Sequence, residues 1–181
     1  MITGSISRRY AKAVLQLGIE EGTLEPMLGQ LEDLTRALAQ SSELRQALSD
    51  PVFPLSERRG AVDALAARLG VSRTVRNFVM LLLDRGRVLS LPDITREFRA
   101  MVDAQAGRVR ACVTSARPLA PDLEARLVAL LEQRLGKRVV LEKREDPKLI
   151  GGLTAEVGDL LYDGSLRHHL EALRASLERG E

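Results

Sequence analysis

The sequence predicts an α+β chain, with an N-terminal six-helix bundle over residues 1–105 and a small C-terminal β-α-β-β-β-α domain over residues 106–181. Three observations carry that expectation. Apolar residues recur at helical spacing up to about residue 105, and after Gly107 they alternate with a period of two. Hydrophobic residues make up 45 % of the chain, yet aromatics only 3 %, with no Trp. A core of Leu and Ala suits helix-on-helix packing better than an aromatic-rich sandwich.

Ile6, Tyr10, Ala13, Val14 and Leu17 form one stripe of a first helix, and Gly18 and Gly22 bracket its end. Thr23 is the expected N-cap of a second helix carrying Leu24, Met27, Leu28, Leu31, Leu34 and Leu38 on one face. Ser42 opens a short third helix with Leu44, Ala47 and Leu48, which stops before Pro51 because the residue preceding proline is pushed out of the helical region. Pro51 and Pro54 flank an extended connector, Val52-Phe53. Ser56 is the expected cap of a fourth helix with Ala61, Val62, Leu65, Ala66 and Leu69, and Gly70 supplies a left-handed stop. Ser72 caps a fifth, with the stripe Val75, Phe78, Val79, Leu82 and Leu83. Ser90 with Asp93 resembles a capping box, and Pro92 lies in the first turn of a sixth helix that buries Leu91, Ile94, Phe98, Met101 and Val102.

Beyond Gly107, Val109, Ala111 and Val113 alternate with Arg108, Arg110, Cys112 and Thr114, the pattern of a half-buried strand. Pro121 or Asp122 starts a helix with Leu123, Leu127, Leu130, Leu131 and Leu135, closed by Gly136. Val139 to Leu141 reads as a second strand. Leu153–Val157 and Leu160–Tyr162 read as two more, joined by a primed turn at Gly158-Asp159. Asp163 is the expected cap of a last helix with Leu166, Leu170, Leu173 and Leu177 on one face.

Charge and composition narrow the function classes. Lys and Arg number 27 and Asp and Glu 25, a formal charge of +2. The pI of about 9.0 overstates the basicity, since one or two surplus arginines carry a nearly balanced chain across the gap between carboxylate and lysine titration. Residues 1–105 hold 14 bases and 13 acids, and the remainder 13 and 12, so neither part is a basic arm. The longest apolar run is the six residues Phe78 to Leu83, against about 20 for a membrane span. No secretion signal opens the chain, and the single Cys112 fits a reducing compartment. A soluble, cytoplasmic protein is expected.

Catalytic candidates are sparse. His168 and His169 are adjacent on a predicted helix, about 100° apart around it, and cannot share a metal as an i, i+4 pair does. Cys112 faces away from the apolar side of its strand and has no oxyanion-hole signature beside it. No phosphate-binding or dinucleotide loop is present, and Gly151-Gly152 reads as a close backbone approach. The expectation is no catalytic, cofactor-binding or metal site, hence no enzyme and no cofactor. Arg8, Arg9, Arg58, Arg59, Arg73, Arg76, Arg85 and Arg87 could form a phosphate-binding surface, but Glu57, Asp63 and Asp84 sit among them, which favours a salt-bridged exterior and no nucleic-acid partner. The fifth helix is more telling, because Met80 and Leu81 are apolar outside its core stripe. Such a helix is either central in its bundle or offers a second face to a partner. Ala11 and Leu15 repeat the pattern off the main stripe of the first helix, and together the two suggest a helix-in-groove site.

Three stretches resemble the delta subunit of F-type ATP synthases, whose mitochondrial relative is the oligomycin-sensitivity-conferring protein. They are Arg9-Tyr10-Ala11-Lys12-Ala13; Asn77-Phe78 through Asp84-Arg85-Gly86-Arg87 with Leu91-Pro92-Asp93-Ile94 and Phe98; and Asp146 to Leu153 with Val157-Gly158-Asp159 and Asp163 to Arg167. The chain departs from the family at His168-His169, where small or basic residues are commoner. The resemblance implies a non-catalytic stator subunit of a proton-translocating ATP synthase, linking the alpha/beta catalytic head to a b-type peripheral stalk. It implies that residues 1–105 receive the N-terminal helix of an alpha subunit between the first and fifth helices, and that residues 106–181 hold the C-terminal end of the b-type subunit. The head-binding role falls on Tyr10, Ala13, Val14, Leu17, Asn77, Met80, Leu81 and Asp84, with burial the competing expectation for Tyr10 and Val14. The implied location is peripheral, on the cytoplasmic face of a bacterial inner membrane, held there through partners.

Overall fold

The computed structural model describes residues 2–147, 149, 151–158 and 160–166. It is an α+β structure with seven helices and one four-stranded mixed sheet among those residues: α1 (Ile2–Glu21), α2 (Leu24–Gln40), α3 (Ser42–Ser49), α4 (Leu55–Leu69), α5 (Arg73–Asp84), α6 (Leu91–Gln105), β1 (Arg108–Ser115), α7 (Pro121–Leu135), β2 (Arg138–Glu145), β3 (Gly152–Val157) and β4 (Leu160–Ser165). The chain divides into two compact units, Met1–Val102 and Asp103–Glu181.

In the first unit, side chains from α1 to α6 share one hydrophobic core. The stripes of α2, α5 and α6 face it as their spacing predicts: Met27, Leu31, Leu34, Val75, Leu82, Leu83, Ile94 and Phe98 are all buried. Helix α1 differs. Its buried face is Ser7, Ala11, Val14 and Gly18, while Tyr10 is half-buried and Ala13 and Leu17 are exposed. At 100° per residue the observed face lies about 90° round from the predicted one. The reason is close approach: a Cβ on Gly18 would come within 2.6 Å of Leu24 Cδ2, so small residues, not large ones, mark the packed side. Gly18 therefore lies inside α1, and only Gly22, at φ +64, ends it.

Several predicted caps move by a residue or two. Ser42 opens α3 as expected, and Ser41 caps it by accepting from Leu44 N–H at 3.1 Å. Pro54 precedes α4, so Ser56 lies within it. Thr23 flanks α2 without a side-chain capping bond. Helix α6 is entered through a 3-10 turn at Val88–Ser90, and Asp93 turns outward to Arg96 instead of closing a capping box. Ser72 does cap α5, and Gly70 and Gly136 end α4 and α7 in the left-handed region.

The second unit holds the sheet, in the order β2-β1-β3-β4, with β1 parallel to β2 and the other pairs antiparallel. A parallel pair needs a crossover, which α7 supplies. Ala111 and Val113 point to the buried side, and Cys112 lies on the other face beside Glu142 and Glu156 in register. Helix α7 packs through Leu127, Leu131 and Leu135, leaving the predicted core residues Leu123 and Leu130 exposed. Gly152, at φ +81, lies so close to β4 that a Cβ would meet Gly164 O at 2.3 Å. Val157 pairs with Leu160 across a two-residue turn that includes Gly158 at φ +59. Asp163 lies in β4 and its carboxylate accepts from Ser165 N–H at 2.9 Å. Beyond Leu166 the predicted last helix, with His168 and His169, falls outside the described residues, as does Asp159 of the turn.

Asp103 is the electrostatic anchor of this unit. Its buried carboxylate takes Arg108 Nε at 2.6 Å and also Arg110 Nε, while Arg110 Nη1 reaches Glu142 Oε1 on β2 at 3.0 Å. The hydrogen bond to Asp103 raises the Arg110 pKa above its usual value, outweighing the burial that opposes it.

Candidate functional site

A groove of about 600 Å³ lies between α1 and α5 in the first unit. Helix α1 offers it Arg9, Tyr10, Ala13, Leu17 and Glu21; helix α5 and its C-cap offer Thr74, Asn77, Phe78, Leu81 and Arg85. Both sets follow the i, i+3, i+4, i+7 spacing of a single helix face. The groove exists because each helix spends a different face on the core: Ala11 and Val14 on α1, and Val75, Val79, Leu82 and Leu83 on α5. What remains is a second, mostly apolar face on each.

Tyr10 and Phe78 meet edge to face on the groove floor, with ring centroids 6.3 Å apart, and the Arg9 guanidinium lies 5.9 Å from the Tyr10 centroid. Leu17 and Leu81 are 40 % and 42 % exposed. For two leucines of a helical unit this is unspent apolar surface facing one concavity, the feature that marks a docking site more than scattered exposed residues do. At one end Thr74 Oγ1 donates to Glu21 Oε1 at 2.8 Å, tying the last turn of α1 to the first turn of α5.

Five of the eight residues singled out from sequence, Tyr10, Ala13, Leu17, Asn77 and Leu81, line this groove. Three do not. Val14 is 1 % exposed in the core, and Met80 packs against that core from its edge. Asp84 is turned to α4, where Arg59 holds both carboxylate oxygens at 2.9 Å. Ala11 and Leu15, read from sequence as spare, belong to the packed side of α1. Arg9, Glu21, Thr74, Phe78 and Arg85 were missed. Carrying the Tyr10-Ala13-Leu17 spacing one turn further reaches Glu21, and the same step from Leu81 reaches Arg85.

Two of the eight arginines named from sequence are held by carboxylates. Arg59 pairs with Asp84, and Arg76 Nε donates to Asp63 at 2.5 Å. That hydrogen bond first, and the charge of Asp63 second, raise the Arg76 pKa. Among the described residues no group of three His, Cys, Asp or Glu side chains could hold a metal, and no helix is long and apolar enough to cross a membrane. The second unit has a smaller concavity of about 300 Å³, where Leu127 and Leu130 of α7 face Leu153, Ala155 and Tyr162 of β3 and β4.

Residues 6–177 match the family model described as ATP synthase delta (OSCP) subunit. The chain is 43 % identical over 179 residues to "ATP synthase subunit delta" of Anaeromyxobacter dehalogenans (strain 2CP-C), covering 99 % of this chain and 100 % of that one. It is 42 % identical over 181 residues to the protein of the same name from Myxococcus xanthus (strain DK1622), with the same coverage. Among solved structures, a chain of the Toxoplasma gondii mitochondrial ATP synthase hexamer superposes with a TM-score of 0.73 over 94 % of this chain and 96 % of that one. At 24 % identity that likeness speaks to the fold.

Proposed function

This chain belongs to the ATP synthase delta (OSCP) subunit family and is a peripheral-stalk component of an F-type ATP synthase, and from that premise we propose that its α1/α5 groove receives the amphipathic N-terminal helix of an alpha subunit. The groove itself carries this reading: it is a helix-sized trough whose floor is apolar, on two helices that have already spent another face on the core. Tyr10, Ala13, Leu17, Asn77 and Leu81 are the contacts, joined by Phe78. Val14 and Met80 support the walls from behind, and Asp84 fixes α5 against α4. The helices of residues 1–105 act as a six-helix bundle bound to the head, while residues 106–181 hold the C-terminal end of the b-type subunit.

The role is mechanical. A rotor driven by protons crossing the membrane sector turns inside the head, and the reaction torque turns the head too unless a stator holds it. The chain contributes no catalytic group; it transmits force between head and stalk. It is peripheral to the membrane-bound complex, on the cytoplasmic side of the bacterial inner membrane, a placement supported by its bacterial relatives.

The test is the affinity of a synthetic alpha N-terminal helix for the full chain, measured by fluorescence anisotropy. Leu81→Asp places a carboxylate on the groove wall, where desolvating it opposes docking, and at least about a tenfold weakening is expected with unchanged circular dichroism. Wild-type binding no tighter than to a scrambled peptide sinks the proposal.

A further inference from the structure

A second cleft, of about 370 Å³, opens between α2 and α6 and shares no lining residue with the α1/α5 groove. Its walls are polar. Arg99 of α6 reaches Glu32 of α2 through Nε at 2.9 Å and Nη2 at 2.8 Å, closing one end. In the middle the Thr35 and Thr95 hydroxyls meet across the two helices at 3.0 Å. Ala39 and Pro92 line the other end, which carries no side-chain charge or donor. Beside the threonine pair stand two guanidiniums, Arg36 on α2 and Arg96 on α6. Each gives one nitrogen to an aspartate three residues back on its own helix, Asp33 at 2.9 Å and Asp93 at 2.8 Å. The two arginine side chains are 64 % and 74 % exposed, and pairs this open to water hold weakly. Both guanidiniums are therefore available to a stronger acceptor. The lining sets three arginines against Glu32 alone, an excess of two positive charges, with Asp33 and Asp93 flanking it.

We propose that this cleft binds the phosphoryl group of a small ligand, clamped between Arg36 and Arg96 over the Thr35–Thr95 pair. In a pair of threonines one proton bridges the two oxygens and the second remains to donate. Thr95 is buried, which sets that donor at the cleft floor. A phosphoryl group brings close to two negative charges and three strong acceptor oxygens. One oxygen serves each guanidinium fork and the third takes the hydroxyl proton. Its charge matches the excess of the lining. A carboxylate brings one charge and two oxygens, and leaves either a fork or the hydroxyl unmet. The Ala39–Pro92 end stays open to whatever the phosphate is attached to, so the same chemistry admits inorganic phosphate or the terminal phosphate of a nucleotide. The proposal is independent of helix docking in the other groove.

The probes are inorganic phosphate, ATP and adenosine, each titrated into the full isotope-labelled chain at low salt and followed by amide chemical shifts. Saturable shifts at Thr35, Arg36, Thr95 and Arg96 are expected with phosphate and ATP, and none with adenosine. Arg36→Gln or Arg96→Gln weakens binding about tenfold or more. Arg126→Gln on α7 removes the same charge elsewhere and changes affinity less than about twofold. Asp33→Asn combined with Asp93→Asn releases both guanidiniums and tightens binding about two- to fivefold, a gain that a purely structural role for the two pairs does not give. ATP binding tighter than phosphate identifies a nucleotide as the ligand, and phosphate binding at least as tightly identifies the free anion; either result supports the site. Failure to saturate with millimolar phosphate or ATP overturns it. So do adenosine shifts equal to those of ATP, an equal loss in Arg126→Gln, or tighter binding of an acidic peptide than of both phosphate probes. Arg36 and Arg96 are exposed, so their variants keep the fold, and circular dichroism checks this.

Discussion

Val14 and Leu17 lie one turn apart on α1 and do opposite work. Val14 is sealed in the core, whereas Leu17 is 40 % exposed at the groove. Val14→Ala removes the equivalent of two methylenes from a packed site and is expected to cost about 2 kcal/mol, checked by urea denaturation. It leaves peptide affinity close to wild type once the protein is folded. Leu17→Asp has the converse profile: stability within about 0.5 kcal/mol of wild type, and binding of the alpha N-terminal helix weakened by about tenfold or more, read by anisotropy. Equal losses of stability in the two variants would contradict the division of α1 into a core face and a groove face. Of the groove residues, Leu81 is legible from apolar spacing that the one buried stripe of α5 leaves unused, whereas Tyr10, Ala13, Leu17 and Asn77 follow from the family resemblance. The face of α1 was misread for a physical reason. Large apolar side chains mark the expected face, but where α1 packs closest the residues are Ser7, Ala11 and Gly18. Big side chains were left for the groove because they do not fit the tight contact.

At the scale of elements, the hairpin β3–β4 depends on one glycine. Gly152 combines φ +81 with a backbone oxygen 2.3 Å from where its Cβ would stand. The obstacle is main chain and cannot rotate away. Gly152→Ala is expected to destabilise the second unit by about 3 kcal/mol, the sum of a left-handed penalty and overpacking. Faster hydrogen exchange confined to β3 and β4 is the readout. The ionic anchor gives a second test. Asp103→Asn leaves Arg108 and Arg110 without their shared charge at a buried position, for a loss of about 1–3 kcal/mol, measured by denaturant titration. Helices and strands were readable because their periods, 3.6 and 2, follow directly from which side is buried. Caps were less so: several Ser, Thr and Asp residues stand near each terminus, and only the local backbone decides which one reaches a free N–H. Pro54 takes the place expected for Ser56. Exposed Leu123 and Leu130 were misassigned because α7 meets the sheet along a narrower stripe than its leucines offer.

For the whole molecule, the near-neutral charge balance fits the proposed protein partners. With 27 bases against 25 acids, and Arg59 and Arg76 paired with carboxylates, net charge offers little attraction, and the proposed docking rests on apolar complementarity. A stator must hold one partner while another pulls, so its two attachments must each be specific. The most direct test is a double-mutant cycle on the isolated alpha/beta head, titrated with the full chain. One axis is removal of the alpha N-terminal segment, the other is Leu81→Asp, and calorimetry gives the Kd at each corner. The account predicts that either change alone weakens binding at least about tenfold and that combining them adds almost nothing, since both delete one contact. Undiminished binding after the alpha segment is removed, or losses that simply add, would contradict it.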